Sequence, residues 1–301
     1  MRRKPFAAVC LSIALALSAC GAEESKSGSG ESRGSEITSA DLSKVEKVDS
    51  IAAMVPEAVK SDGTLTVGNN IYYAPAEFYG SDGKTAQGYD IDLTNALAKV
   101  MGLKADIQQA EFAAIIPAIG SKYELGVANF SINQERIATV NMIEYLRVGS
   151  SWSVQKGNPK KFDPKNPCGA IVGVQTGTIQ DEEIDALNAK CPADKKIQIQ
   201  RYNEQSAVTT ALAGGKLVAM SSDSSVAEYA STITNGSTEL VGDPENVAGV
   251  GIVVSKQDDQ LTKATQAALK YLIDNGQLNE IFKTWGITDG ISKDAALNPA
   301  N

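Results

Sequence analysis

From residue 61 onward, short apolar runs alternate with longer stretches whose apolar residues recur every three or four positions. The first kind predicts strands and the second amphipathic helices. TLTVG (64–68), KADIQQ (104–109) and LGVANF (125–130) read as strands. Between them lie a helix over GYDIDLTNALAKVMG (88–102) and a short one over FAAIIPAIG (112–120). In the long helix Leu93, Leu97, Val100 and Met101 line one face, and Gly102 supplies a C-terminal cap. QERIATV (134–140) predicts a helix, SSWSVQKG (150–157) an extended segment and AIVGVQTG (170–177) a strand. TIQDEEIDALNAK (178–190) predicts a helix with acids in its first turns, where the helix dipole favours them. KIQIQRY, EQSAVTTALAGG, KLVAMSSD and VGIVVSK (250–256) continue as strand, helix, strand and strand. The remainder is helical, broken by DNG (274–276) and closed by LNEIFKTWG (278–286).

Alternation of this kind implies crossover units and mostly parallel sheets. Two such units, separated near residue 150, imply two lobes, with the chain crossing back near 250 so that its C-terminal part rejoins the first. Residues 37–60, ending in AAMVPEAVK, form a weakly amphipathic stretch expected to be a peripheral helix. Residues 21–36, GAEESKSGSGESRGSE, are Gly, Ser and charge without apolar periodicity, the composition of a flexible tether.

The first residues carry a targeting signal. Arg2, Arg3 and Lys4 precede the apolar run FAAVCLSIALA (6–16), too short to span a bilayer as a mature helix. LSAC (17–20) follows at once and resembles a bacterial lipobox, in which the Cys20 thiol is lipidated after residues 1–19 are removed. Plain secretion with an incidental Cys is the alternative. Export leaves Cys168 and Cys191 as an even pair in an oxidising compartment. They bracket one strand–helix unit, and bridging them would stabilise the fold by about 3 kcal/mol. Two buried thiols are the other possibility.

The net charge of −8 argues against nucleic acid as a partner. Histidine is absent, which removes Ser–His–Asp and Cys–His catalysis and His-ligated metal sites. No metal or cofactor is expected. One residue asks for a partner: Arg136 falls in the first turn of the QERIATV helix, the end where a cation is disfavoured. Either a neighbouring acid such as Glu135 compensates it at the surface, or a ligand does.

GKTAQGYDIDLTNALAKVMG, FAAIIPAI, NFSINQER, VGVQTGT, SSDSSVAEYA and DNGQLNEIFKTWG, taken in that order and spacing, resemble the polar amino-acid family (family 3 type) of extracytoplasmic solute-binding proteins of ABC importers. The likeness covers about residues 61–288, and AAMVPEAVKSDGTLTVG is similar to actinobacterial members. It implies a two-lobe type II periplasmic-binding-protein fold of class α/β, with two hinge strands and a ligand cleft. Lobe one would be 61–149 plus 250–288, lobe two 150–249, and 289–301 a C-terminal tail.

The resemblance also assigns roles. Arg136 occupies the position that binds the α-carboxylate of a free amino acid, a task suited to the planar guanidinium fork. Ser131 matches a hydroxyl contact, and Asn129 a backbone carbonyl that accepts the ligand ammonium. The N–H groups of Thr178 and Ile179 are placed to receive the carboxylate at a helix start. Asp223 matches the carboxylate that takes the ammonium; as an Asp before a helix it is equally suited to N-capping. Tyr73 and Phe112 match aromatic walls, Phe112 being also a fair core residue. Asn70 and Gln175 lie where side-chain specificity is set, and their neutrality favours a polar or neutral ligand.

Departures from the family pattern are Ala76 for Phe, Glu124, Asn141 and Val218 for Asp, Asn133 for Thr, and Ile179 for a second Thr. The implied partners are an amino-acid ligand, a membrane permease and, through Cys20, the outer face of the membrane, with the protein a monomer. Two other functions fit the same fold. One is an enzyme, a dehydratase or lyase using Asp223 or Glu111 as acid or base. The other is a ligand-sensing subunit of a receptor.

Overall fold

A computed structural model describes residues 39–300. The expected signal peptide (1–19), the lipidation expected at Cys20 and the expected tether (21–36) lie outside the described residues.

The fold is built on one eight-stranded sheet in the order β5-β1-β6-β11-β7-β10-β8-β9. At one end, β1 (Thr64–Asn69) pairs in parallel with β5 (Lys104–Gln109) and β6 (Leu125–Gly126). At the other, β8 (Ile171–Gln175) pairs in parallel with β9 (Gln198–Tyr202) and β10 (Ala219–Asp223). Two long antiparallel strands, β7 (Val140–Gln155) and β11 (Thr238–Ser255), run through both ends and join the two lobes. Their register is irregular between Val241 and Ala248 of β11, opposite Val148–Trp152 of β7. A small three-stranded sheet, β2 (Tyr72–Tyr73), β3 (Glu77–Tyr79) and β4 (Ala86–Gln87), follows β1.

Helices cover the sheet faces. α1 (Asp49–Ala52) and α2 (Glu57–Lys60) precede β1, and α3 (Tyr89–Val100) connects β4 to β5. α4 (Phe112–Ile115) and α5 (Gln134–Thr139) flank β6 in sequence. α6 (Ile179–Lys190), α7 (Gln205–Ala213) and α8 (Ser224–Ile233) belong to the second lobe. α9 (Asp259–Asp274) and α10 (Gln277–Thr284) return to the first, separated by Gly276 at φ +79°. The larger core joins Leu65 and Val67 of β1 to Leu93 and Leu97 of α3, Leu269 and Leu272 of α9, and Phe282. In the second lobe Trp152, Val172, Val174 and Ile184 form the main cluster. A disulfide ties Cys168 to Cys191 at the C-terminal cap of α6.

Three expectations change. The stretch before β1 is two single-turn helices, not one peripheral helix, and it is not peripheral: Val45, Ile51, Val55 and Val59 are buried in the main core. LGVANF is a strand only over Leu125–Gly126, because Asn129 takes the left-handed conformation (φ +51°) and gives its N–H to Asp90. Strands β7 and β11 are far longer than SSWSVQKG and VGIVVSK. The segment after residue 289 is packed: Arg147 N–H bonds Gly290 O, Ser292 N–H bonds Tyr145 O, and Met142 O accepts from Asn298 N–H, covering the edge of β7.

Candidate functional site

The strand ends and helix starts of the two lobes meet face to face. From the first lobe come the end of β1, β2, the β6–α5 loop and α4. From the second come the β8–α6 turn and the end of β10. These are the carboxyl ends of parallel strands, where open α/β sheets place ligands.

Arg136 is third in α5, whose cap is Asn133: the Asn133 Oδ1 accepts from Arg136 N–H at 2.8 Å. Asn at this cap does the work of the Thr it replaces. The Arg136 side chain is buried (8% exposed), so it is not a surface cation paired with Glu135. Its Nη1 donates to Ser131 O at 2.7 Å and its Nη2 to Gly177 O, in the other lobe, at 3.0 Å. The rings of Phe112 and Phe130 lie 5.6 and 5.8 Å from the guanidinium carbon. Among the described residues no carboxylate lies within 4.0 Å of it. Burial lowers its pKa, while Glu182, Asp223 and Glu135 act in the opposite direction.

Asp223 stands at the N-cap position of α8 but makes no capping bond with its side chain. Its carboxylate, 3% exposed, turns inward and gathers three neutral donors. Tyr73 Oη (2.8 Å) and Asn129 Nδ2 (2.8 Å) come from the first lobe, and Gln180 Nε2 (2.9 Å) from α6. Burial raises its pKa above the ordinary 3.8, and the three donors together with Arg136 oppose that rise. A buried cation and a buried anion thus face one cleft without touching.

The other expected residues are brought to the same gap. Asn70 and Gln175, each about 1% exposed, join across the lobes by Gln175 Nε2 to Asn70 Oδ1 at 2.9 Å. Gln175 Nε2 also donates to Asn203 O, while its Oε1 is buried and receives no hydrogen bond from any described residue. Phe112 stacks on Phe130, with centroids 4.7 Å apart, and so is both core residue and floor beneath the guanidinium. Ser131 is buried and its carbonyl serves Arg136. Thr178 caps α6 by accepting from Asp181 N–H at 3.3 Å and donates its hydroxyl to Gln175 O. Ile179 opens α6 half-buried. Glu111 is exposed and accepts from Asn203 at 3.1 Å. Among the described residues no three His, Cys, Asp or Glu side chains cluster as metal ligands, and no helix is long and apolar enough to cross a membrane.

Gln180 escaped the sequence reading although it bonds both Asp223 and Ser150 Oγ. Its signal was its place in the first turn of a helix that starts at a strand's carboxyl end. Asp90 also escaped: its Oδ2 accepts from Asn129 N–H (2.7 Å) and Tyr145 Oη (2.9 Å).

Residues 65–288 match the bacterial extracellular solute-binding proteins, family 3. The chain is 35% identical over 255 residues to the arginine-binding protein ArgT of Corynebacterium glutamicum, covering 83% of each. Among solved structures it is similar to an ancestral arginine-binding protein bound to arginine, with 28% identity, a TM-score of 0.69, and 74% of this chain and 98% of that one covered. It is also similar to the ancestral amino acid-binding protein AncCDT-1, a precursor of cyclohexadienyl dehydratase, at 26% identity and a TM-score of 0.69, with 76% and 98% covered. Sheet order, cleft and sequence match agree: this chain belongs to family 3 of the bacterial extracellular solute-binding proteins.

Proposed function

We propose that the chain is the substrate-binding subunit of an ABC importer and holds a free amino acid, without turnover, between lobe one (61–149 plus 250–288) and lobe two (150–249). One observation carries this reading: among the described residues Arg136 is buried with its donors on backbone carbonyls and no carboxylate within 4.0 Å, while Asp223 is buried across the cleft with only neutral donors on its carboxylate. That spacing of opposite charges suits a zwitterion, whose carboxylate takes the guanidinium fork and whose ammonium takes Asp223. The N–H groups at the start of α6 and the carbonyl of Asn129 complete the head-group contacts, and Tyr73 and Phe112 flank them.

The side chain of the ligand would reach Asn70 and Gln175. Both are neutral, and Gln175 Oε1 is a buried acceptor awaiting a donor. This supports a polar, uncharged side chain ending in N–H groups. The relatives named for arginine supply a rival, since a guanidinium also ends in N–H groups. A thermal-shift screen of the proteinogenic amino acids decides, because a ligand that binds only the folded state raises its stability by mass action. A shift with glutamine or asparagine and none with arginine supports the neutral reading; the reverse replaces it with a cationic one. No shift with any amino acid overturns the amino-acid reading. Lipidation at Cys20 would hold the protein at the outer face of the membrane, where the closed form docks on the permease.

A further inference from the structure

We propose that Glu77 and Asp90 share a single proton beneath the cleft, and that this proton positions Asn129 and, through it, Asp223. The functional part of this inference rests on the reading that Asp223 faces the ligand.

The backbone forces the two acids together. Asp90 N–H donates to Ala76 O at 2.9 Å and Tyr89 N–H to Pro75 O at 3.2 Å. A Cβ at Gly88 would sit 2.1 Å from Ala76 O, so only glycine permits this approach. With the start of α3 seated on residues 75–76, Asp90 is brought beside Glu77, both are fully buried, and each acts on the other's ionisation. Neither oxygen of Glu77 receives a hydrogen bond from any described residue, nor does Asp90 Oδ1. Two carboxylates this close and this dry do not both ionise.

The proton belongs on Glu77. Asp90 lies in the first turn of α3, where the helix dipole favours an anion, and its Oδ2 already takes the Asn129 N–H and the Tyr145 hydroxyl. Glu77 has no donor of its own and offers its O–H to Asp90 Oδ1. Burial, followed by the Asp90 charge, holds Glu77 well above the usual carboxylate range, and burial lifts Asp90 to about 6. The groups facing the pair are Tyr89 on α3, Tyr145 on β7 and Asp223 on β10; Tyr73 of β2 and Arg136 of α5 act on Asp223. The three phenols are pushed up by burial and stay neutral.

Asn129 transmits the arrangement. Its left-handed backbone is pinned by Asp90, its Oδ1 accepts from Tyr89 Oη at 3.1 Å, and only its Nδ2 remains to meet Asp223. Loss of the Glu77 proton places a second anion against Asp90 and loosens that pin. Gln in place of Glu77 keeps a donor toward Asp90 and has nothing to lose.

Infrared difference spectra and amide NMR of the purified protein, without ligand, test this. Wild type at neutral pH should show the C=O stretch of a buried protonated carboxyl that Glu77→Gln lacks. The Asn129 amide resonance should shift in wild type as the pH is raised above neutrality and stay fixed in Glu77→Gln. Should that variant not fold, Asp90→Asn serves, with the Asn129 resonance again independent of pH. A wild type without the protonated-carboxyl band, or an Asn129 resonance that titrates alike in wild type and variant, overturns the proposal. Neither measurement needs an amino acid, so failure of the amino-acid screen is a separate result that overturns the functional reading alone.

Discussion

The guanidinium of Arg136 reaches from one lobe to the other, Nη2 donating to Gly177 O at 3.0 Å. A cation that could end in bulk water ends instead on two carbonyl oxygens, Ser131 O and Gly177 O. Carbonyls orient a guanidinium without neutralising it. Its charge therefore stays available, and its position depends on both lobes being together.

Replacing Arg136 with Ala should weaken amino-acid binding by roughly 2 to 5 kcal/mol, because the ligand carboxylate would be buried without its charged partner. Titration calorimetry on the best ligand from the screen measures this. Arg136→Lys should recover only part of the loss, since a point charge cannot reproduce the two-pronged contact. Wild-type affinity in the Ala variant would remove the basis of the functional reading.

Affinity should depend on pH through Asp223. In the cleft without ligand, burial keeps this carboxyl protonated to higher pH than the ordinary 3.8. A ligand ammonium favours the ionised form, so binding releases a proton at pH values near the raised pKa. The sign follows: affinity falls as the pH is lowered through that pKa and levels off above it. Calorimetry between about pH 4 and pH 7 should show this slope in wild type and its absence in Asp223→Asn, which binds weakly throughout. A flat wild-type profile would place the ammonium elsewhere.

Element types were legible because most helices here are amphipathic and most outer strands short. The long strands were not. Residues 140–146 of β7 are buried on both faces, so no alternation marks them as a strand. Residues 242–247 of β11 are exposed and carry Gly242, Pro244 and Asn246, so nothing in them marks a strand. Arg136 was legible as a cation at the wrong end of a helix. Whether Asp223 capped α8 or turned into the cleft was not, because both use one position and differ only in which way the side chain faces. Glu77 was beyond local reading altogether: its environment is made by Gly88, Asp90 and Tyr145, which tertiary packing alone assembles.

The disulfide should matter for stability and not for binding. Cys168 and Cys191 are separated by 23 positions, and their bridge should contribute about 3 kcal/mol by restricting the unfolded chain. Urea unfolding of the Cys168→Ala/Cys191→Ala double variant measures that loss. The 12-residue helix α6, about 18 Å long, separates Cys191 from Thr178 and Gln180 at its other end. Ligand affinity should stay at the wild-type value, and a parallel loss of affinity would mean that the bridge sets the orientation of α6 in the cleft.

Gly88→Ala should be among the most damaging single-methyl changes in the protein. The position has φ +131°, and the added Cβ would meet Ala76 O at 2.1 Å and Pro75 O at 2.8 Å. Both are backbone atoms, fixed by their bonds to α3, so neither can swing aside. Backbone strain alone costs roughly 1–3 kcal/mol, and the displacement of α3 from residues 75–76 adds to it. Gly63→Ala separates the two contributions. Gly63 also has positive φ, +72°, but a Cβ there meets nothing within 4 Å, so only strain remains. In thermal unfolding, Gly88→Ala should lower Tm clearly more than Gly63→Ala, at roughly 2–4 °C for each further kcal/mol. Equal losses would mean that α3 tolerates a shift at its first turn, and the close seating that brings Asp90 to Glu77 would then not be held by this glycine.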